Sequence, residues 1–340
     1  MKAIGLYSAL PIEDAQALIE QDVPRPSIGD EDLLVRVEAI SVNPVDWRVR
    51  KRKVDDGQFQ VLGWDVAGEV VEVGALVKGF DVGDSVYYAG DLTRPGANSE
   101  FHAVDAAIVG HRPASLSAAE AAALPLTVLT AWEALFEGLG IPFDGTRVER
   151  TLLIVGGAGG VGSIAIQLAC LVPGLTVIAT ASRQESQDWC KTLGAHAVID
   201  HFSDMATQLQ TLGKDSPDFV LLINAPDHHW SMVTELLAPQ GAICSIVSFD
   251  HAVDFNPIML KSARFSWEFM FTRSMFNTND KTRQREILDH TATLIDEGKL
   301  RSTVTQSLGT INAANLRKAH AQLESGRMIG KLVLSGFDAD

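Results

Sequence analysis

The stretch TLLIVGGAGGVGSIAIQLAC, Thr151 to Cys170, decides the fold. Its first five residues are apolar or β-branched, as in a strand buried on both faces of a parallel sheet. Gly157-x-Gly159-x-x-Gly162 comes next and opens an apolar helix, Val161–Leu171. Such a turn must be tight, must leave backbone bare enough for a pyrophosphate to approach, and must let helix and strand pack closely. The helix start adds free N–H groups and the positive end of its dipole. Gly157, Gly159, Gly160, Val161 and Gly162 are therefore the candidate contacts of a dinucleotide, and Ala165 and Ala169 keep the helix close to its sheet.

Working outward, strands and helices alternate. Strands are expected at Leu152–Val155, Thr176–Thr180, Ala197–Ile199, Phe219–Ile223 and Ala242–Val247, with helices such as Gln184–Leu193 and Trp230–Leu237 between them. This rhythm predicts βαβ units and a doubly wound parallel sheet. The second strand runs out at Ala179-Thr-Ala-Ser-Arg183. Proteins that take NAD place an Asp or Glu there for the ribose 2′-OH. A carboxylate would repel a 2′-phosphate, whereas Ser182 and Arg183 can hydrogen-bond one, so the cofactor expected is NADPH. Arg183 as the mere start of a solvated helix is the alternative.

The flanks read differently. Leu33–Ser41 and Ala67–Val73 alternate apolar and polar residues, and a turn cluster at Gly79–Asp84 precedes a strand at Ser85–Ala89. Ser117 with Glu120 forms a capping box, and a second helix is expected from Thr127 through Gly138. Past Thr272 come a helix (Thr282–Glu297), a strand (Thr303–Leu308), a helix (Ala313–Ser325) and a last strand, Lys331–Leu334. Two packed domains with a ligand cleft between them are expected.

Composition narrows the classes. The 340 residues are 46% hydrophobic and 21% charged, as in soluble globular proteins. A net charge of −15 argues against nucleic acid or an anionic membrane as partner, despite the short basic run Arg48–Lys53. The three cysteines form no CxxC, which fits a reducing cytoplasm. Thr151–Ser182 has no charge over a length able to cross a bilayer, but Gly156–Gly160 and Pro173-Gly174 interrupt it. A buried strand–turn–helix–strand is the expectation.

Taken in order, Ser41-Val-Asn-Pro-Val-Asp46, Gly63-Trp-Asp-Val-Ala-Gly-Glu-Val-Val-Glu-Val-Gly74, Pro125-Leu-Thr-Val-Leu-Thr-Ala131, the glycine turn and Gly330-Lys331 make the whole chain resemble the medium-chain dehydrogenase/reductases. Within them it resembles specifically the zinc-independent quinone oxidoreductase branch, and bacterial sequences of the zinc-type alcohol dehydrogenase-like kind. The resemblance implies an α/β protein in which a β-rich GroES-like catalytic domain (residues 1–125 and 273–340) flanks a Rossmann NADPH-binding domain (126–272). It also implies a homodimer, with Thr130 behind the nicotinamide and Lys331 reaching the cofactor phosphates. Zinc-dependent members carry a Cys where this chain has Asn43, and Gly-His-Glu where it has Gly63-Trp64-Asp65. Of these positions only Asp65 could hold zinc, and one carboxylate is too few. His228-His229 lacks a third ligand nearby, so no metal is expected.

Without a Lewis acid, hydride delivery to a conjugated acceptor is easier than carbonyl–alcohol interconversion, because charge spreads onto an enolate or hydroquinone oxygen. Quinones and α,β-unsaturated carbonyls are the expected substrates. Asn43 is the candidate oxyanion donor and Trp64 a candidate apolar wall for a flat substrate, with a core tryptophan nearly as good an account. Asp65, Tyr88, Phe271 and Arg273 are the candidate pocket residues, and Tyr87 or Tyr88 could donate a proton. A zinc-dependent alcohol dehydrogenase and a non-catalytic NADPH-binding sensor or structural protein remain as alternative readings.

Overall fold

The computed structural model describes residues 1–337. The chain folds as two compact units, one of Met1–Leu126 with the segment from Phe271 onward, the other of Thr127–Met270.

In the second unit six strands form one parallel sheet, in the spatial order Ala197–Ile199, Thr176–Thr180, Thr151–Val155, Phe219–Leu222, Ala242–Ser245, Arg264–Trp267. The order reverses between Thr151–Val155 and Phe219–Leu222, and ligands of open α/β sheets bind beyond the carboxyl ends of strands at such a switch point. TLLIV, FVLL and AICS are buried along their whole length, which explains their continuous rather than alternating apolar pattern. Leu153, Val155, Val220, Leu222 and Ile243 pack with Trp230, Val233 and Leu236 of a covering helix. Truncating one such side chain to alanine costs roughly 2–5 kcal/mol.

Several boundaries differ from expectation. The helix expected from Trp230 starts at Pro226, because Ala225 adopts a left-handed conformation (φ 42°) and the following proline suits a first helical turn. The strand expected to reach Val247 ends at Ser245, whose hydroxyl turns back to the Val247 carbonyl at 2.9 Å. The helix expected over Thr127–Gly138 is an α-helix, Pro125–Trp132, that widens into a π-helical turn, Glu133–Gly138. Gly138 is forced there by close packing: a Cβ on it would lie 2.8 Å from Cys244 Sγ.

The first unit is β-rich. Its main sheet runs Val304–Ser307, Lys331–Ser335, Asp32–Ser41, Val66–Val73, Ser85–Tyr88, Gly110–His111, with Phe101–Asp105 also paired to Asp32–Ser41. A strand from near the chain end thus lies antiparallel beside one from near its start, with Val333 opposite Ser41. On the other side of that strand, Ile40 lies opposite Val66. Three adjacent strands therefore meet at one end of the sheet, where Asn43 and Asp65, just outside their strands, and Lys331, the first residue of its own, come together. The expected Ser117–Glu120 capping box is present.

Ala118–Gly138 is a helical stretch long and apolar enough to cross a membrane, but 83% of its most apolar window is buried inside the protein. The uncharged run from Thr151 is the strand, glycine turn, helix and strand at the centre of the parallel sheet.

Candidate functional site

The glycine turn sits at the sheet's switch point, and its glycines are bare for different reasons. Gly156 has φ 96°, a backbone that disfavours any Cβ. A Cβ on Gly157 would stand 2.7 Å from that of Ala179, and one on Gly162 would stand 2.4 Å from the Gly156 carbonyl oxygen. Those two serve strand–helix packing. Gly159 is different, because a Cβ there would meet nothing closer than 4.0 Å. Its bareness serves space outside the protein, which is what an approaching pyrophosphate needs. The helix Gly160–Cys170 begins here, and its first i→i−4 bond runs from Ser163 N–H to Gly159 O at 2.8 Å. The amides of Gly160, Val161 and Gly162 precede that bond and are left to a ligand. These residues fit the pyrophosphate of a nicotinamide dinucleotide, whose chemistry when bound is hydride transfer.

At the tip of the second strand Ser182 is half-buried and Arg183 exposed. Thr180, just before them, accepts the Gly156 N–H on its Oγ1 at 3.0 Å, so strand tip and glycine turn are bonded together. Thr130 lies buried in the helix Pro125–Trp132, and its hydroxyl bonds no described residue.

The second feature is the cluster in the first unit. Lys331 Nζ lies 3.0 Å from Asp65 Oδ2, donates to Val42 O at 3.2 Å, and also donates to Asn43 Oδ1. Asn43 Nδ2 donates to Asp65 Oδ2 (3.0 Å) and to Ser41 O (3.3 Å), and the Leu126 N–H donates to Asp65 Oδ1 (3.1 Å). Burial pushes the Asp65 pKa up, and the Lys331 charge and these donors hold it back. With donors on both oxygens, Asp65 is the ionised member and Lys331 its counter-charge. Asp46 is the other carboxyl: burial pushes it up to about 7, one oxygen accepts the Asn43 N–H, and Oδ1 has no partner. Asp46 is the member that burial shifts toward its protonated form, and it titrates near neutrality.

This geometry corrects five expectations. Asn43 does not offer its amide to a reacting carbonyl, because both N–H groups are taken inside the cluster and the residue is 1% exposed. Asp65 does not line a pocket, being fully buried against Lys331. Lys331 does not offer its ammonium to cofactor phosphates, since burial beside Asp65 and Asn43 consumes all of it. Trp64 is a core residue, 1% exposed, with Nε1 donating to Asp91 O at 3.1 Å. Tyr88 is no free proton donor. His102 Nε2 faces the Pro95 carbonyl (3.0 Å) and must carry the ring proton, so Nδ1 accepts the Tyr88 hydroxyl at 3.0 Å. Burial pushes the His102 pKa down to about 4 and raises that of Tyr88, leaving both neutral. Arg273 is ion-paired with Asp280 at 3.0 Å, and Phe271 is buried.

The donor set does not fit zinc. Asp65 is already neutralised by an ammonium, and neither an engaged amide nor an indole is a metal ligand. Among the described residues no other group of three or more His, Cys, Asp or Glu side chains could hold a metal. Asp46, bonded to Asn43, Thr180, bonded to Gly156, and His201, bonded to Thr180, are residues that the sequence reading did not single out. The Asn-x-x-Asp spacing of Asn43 and Asp46 is a capping-box signal, and His201 lies two positions past a strand's carboxyl end, where ligands of such sheets bind.

A doubly wound sheet with a dinucleotide turn, joined to a β-rich unit built from both chain ends, defines a nicotinamide-dependent oxidoreductase. Residues 29–126 match the alcohol dehydrogenase GroES-like domain and residues 193–334 the zinc-binding dehydrogenase family. A zinc-type alcohol dehydrogenase-like protein of Staphylococcus aureus is 39% identical over 336 residues, covering 98% of this chain and 100% of the relative. A chloroplastic quinone-oxidoreductase of Triphysaria versicolor is 30% identical, covering 94% of each. The crystal structure of a Rhizobium etli protein, provisionally described as a zinc-dependent alcohol dehydrogenase, superposes with a TM-score of 0.95 at 48% identity, covering 100% of this chain and 99% of that one. The chain belongs to the medium-chain dehydrogenase/reductase superfamily.

Proposed function

We propose that this protein is an NADPH-dependent, zinc-independent reductase of quinones or α,β-unsaturated carbonyls. What carries this is the closed Asn43–Asp65–Lys331 cluster, standing where zinc-dependent members place metal ligands. A fixed ammonium bonded on the protein's own carboxylate and carbonyls offers no open position to polarise a ketone. A conjugated acceptor asks for less: the electron pair delivered as hydride is spread over the acceptor, and solvent supplies the proton. The glycine turn binds and orients the cofactor's pyrophosphate, and Ser182 and Arg183 recognise the 2′-phosphate. Tyr88 and His102 stay neutral and hold the wall of the first unit, taking no part in proton transfer. The proposal includes a homodimer acting in the cytoplasm, and the three free thiols support the reducing compartment.

The test is oxidation of NADPH and NADH measured against quinones, enals and simple ketones, with metal analysis of the same preparation. Turnover of conjugated acceptors with NADPH, in protein lacking stoichiometric zinc, is the expected result. Zinc with ketone or alcohol turnover would make the protein an alcohol dehydrogenase instead. NADPH binding without any turnover would make it a sensor or structural protein. Sedimentation as a monomer at micromolar concentration would overturn the dimer.

A further inference from the structure

The imidazoles of His201, His228 and His229 gather at the carboxyl edge of the parallel sheet. The His201 and His229 rings are T-shaped with centroids 5.8 Å apart, and His228 lies 4.8 Å from His229. Their arrangement is not one that could hold a metal ion, as no group of three or more His, Cys, Asp or Glu among the described residues is. His201 is the member tied to the cofactor turn. Strands Thr176–Thr180 and Ala197–Ile199 are parallel with Thr180 opposite Ile199, and the Ala181 N–H bonds Ile199 O at 2.9 Å. The chain therefore leaves both strands at one edge, carrying Ser182-Arg183 on one side and Asp200-His201 on the other.

Hydrogen-bond polarity orients the ring. Thr180 Oγ1 already accepts the Gly156 N–H, so its own proton points to His201 Nδ1, 3.1 Å away. Nδ1 is the acceptor, and the proton of the neutral ring sits on Nε2. Nε2 has no partner among the described residues, and the ring is half-buried. Groups facing the ring do little to charge it. Burial is the main cause holding its pKa below the usual histidine value, Asp200 acts upward and His228 downward. His229 is itself pushed down to about 4 and stays neutral. The Asp200 carboxylate is spent on the Phe202 N–H (2.9 Å) and the Ser203 hydroxyl (3.2 Å). Arg183, on the neighbouring strand tip, adds positive charge to the same edge. Such a ring lacks an anionic partner, and a phosphomonoester dianion would be one.

We propose that His201 recognises the 2′-phosphomonoester of the dinucleotide and takes up a proton when it binds, so that coenzyme choice and proton uptake are one event. This rests on the NADPH reading above. The proton comes from solvent and lands on Nδ1. Thr180 Oγ1 then accepts from Nδ1 and turns its own proton away, while Nε2–H faces the phosphate. The Gly156 N–H stays on the same oxygen, so the glycine turn feels the event directly.

The experiment is calorimetric titration with NADPH and with NADH at pH 7.5 in two buffers of different ionisation enthalpy. A phosphomonoester, with its second pKa near 6, is already a dianion at that pH. Uptake of a sizeable fraction of one proton is expected with NADPH and none with NADH. Adenosine 2′-monophosphate should reproduce the uptake and the 5′-monophosphate should not. His201→Gln should abolish uptake and weaken NADPH about tenfold, the size of one charge-assisted hydrogen bond, while NADH affinity stays the same and reports an intact fold. Unchanged uptake in His201→Gln, or equal uptake with the 5′-monophosphate, would overturn the inference and leave NADPH preference standing. Wild-type protein binding NADH as tightly as NADPH would overturn the NADPH reading itself.

Discussion

Lys331 Nζ lies 3.0 Å from Asp65 Oδ2, across 266 positions of sequence and with both side chains essentially excluded from solvent. The two charges hold each other in a place where neither could stay alone. Removing one partner of such a pair typically costs about 3–5 kcal/mol, because a bare charge is left buried. Lys331→Met should therefore lose stability of that order in urea unfolding. The double variant Asp65→Asn/Lys331→Met should recover much of it, since a neutral pair needs no compensation. If the single and double variants are equally unstable, the ion pair is not what holds this end of the sheet.

The glycines separate packing from ligand contact. Gly162→Ala forces a Cβ to within 2.4 Å of the Gly156 carbonyl oxygen and 2.6 Å of that of Gly157. It should destabilise the second unit by about 1–3 kcal/mol, as overpacking does. Gly159→Ala meets no protein atom within 4.0 Å, so its unfolding midpoint should barely move. Its NADPH affinity should fall at least tenfold, read by quenching of tryptophan fluorescence. Equal NADPH affinity in Gly159→Ala would mean that the pyrophosphate lies elsewhere.

Arg183→Ala tests coenzyme choice. Hydrogen bonds to a charged phosphate contribute roughly 1.5–3 kcal/mol, so NADPH affinity should drop about 10- to 100-fold with NADH affinity unchanged. A parallel loss for both coenzymes would assign Arg183 to the helix it caps and not to the phosphate.

Two buried groups give stability opposite pH slopes. His320 is fully buried with neither ring nitrogen partnered, and burial, helped by the nearby Arg50 charge, pushes its pKa down to about 3. The unfolded ring titrates near 6.5, so the stability linked to it is complete above that pH and is lost as pH falls toward 3, by up to ~1.4 kcal/mol per pH unit. His320→Met should flatten this acid limb in urea midpoints measured from pH 4 to 7. It should also stabilise at neutral pH by removing an unpaired donor and acceptor. Asp46 runs the other way. Its pKa is raised to about 7, so its contribution is full below about 4 and disappears as pH rises through 7. Asp46→Asn should remove that second slope, and a wild-type-like profile in either variant would refute the assignment for that residue.

The strand TLLIV, the glycine spacing and the strand–helix rhythm were all legible, because backbone preferences and one-sided or two-sided burial are written in consecutive residues. The sequence by itself determined the parallel sheet, the turn and the dinucleotide it suits, and Ser182-Arg183 was visible because the strand tip is local. Only the tertiary structure decided what the polar residues do. Asn43, Asp65 and Lys331 read separately as an oxyanion donor, a pocket carboxylate and a phosphate ligand, and strand register made them one closed cluster. Tyr88 was claimed by His102 in the same way, and His201 gained a role only when two parallel strands brought Thr180 beside it. A backbone's shape depends on its neighbours in sequence. A buried polar group must find its partner wherever the fold supplies one, and that partner can stand at the other end of the chain.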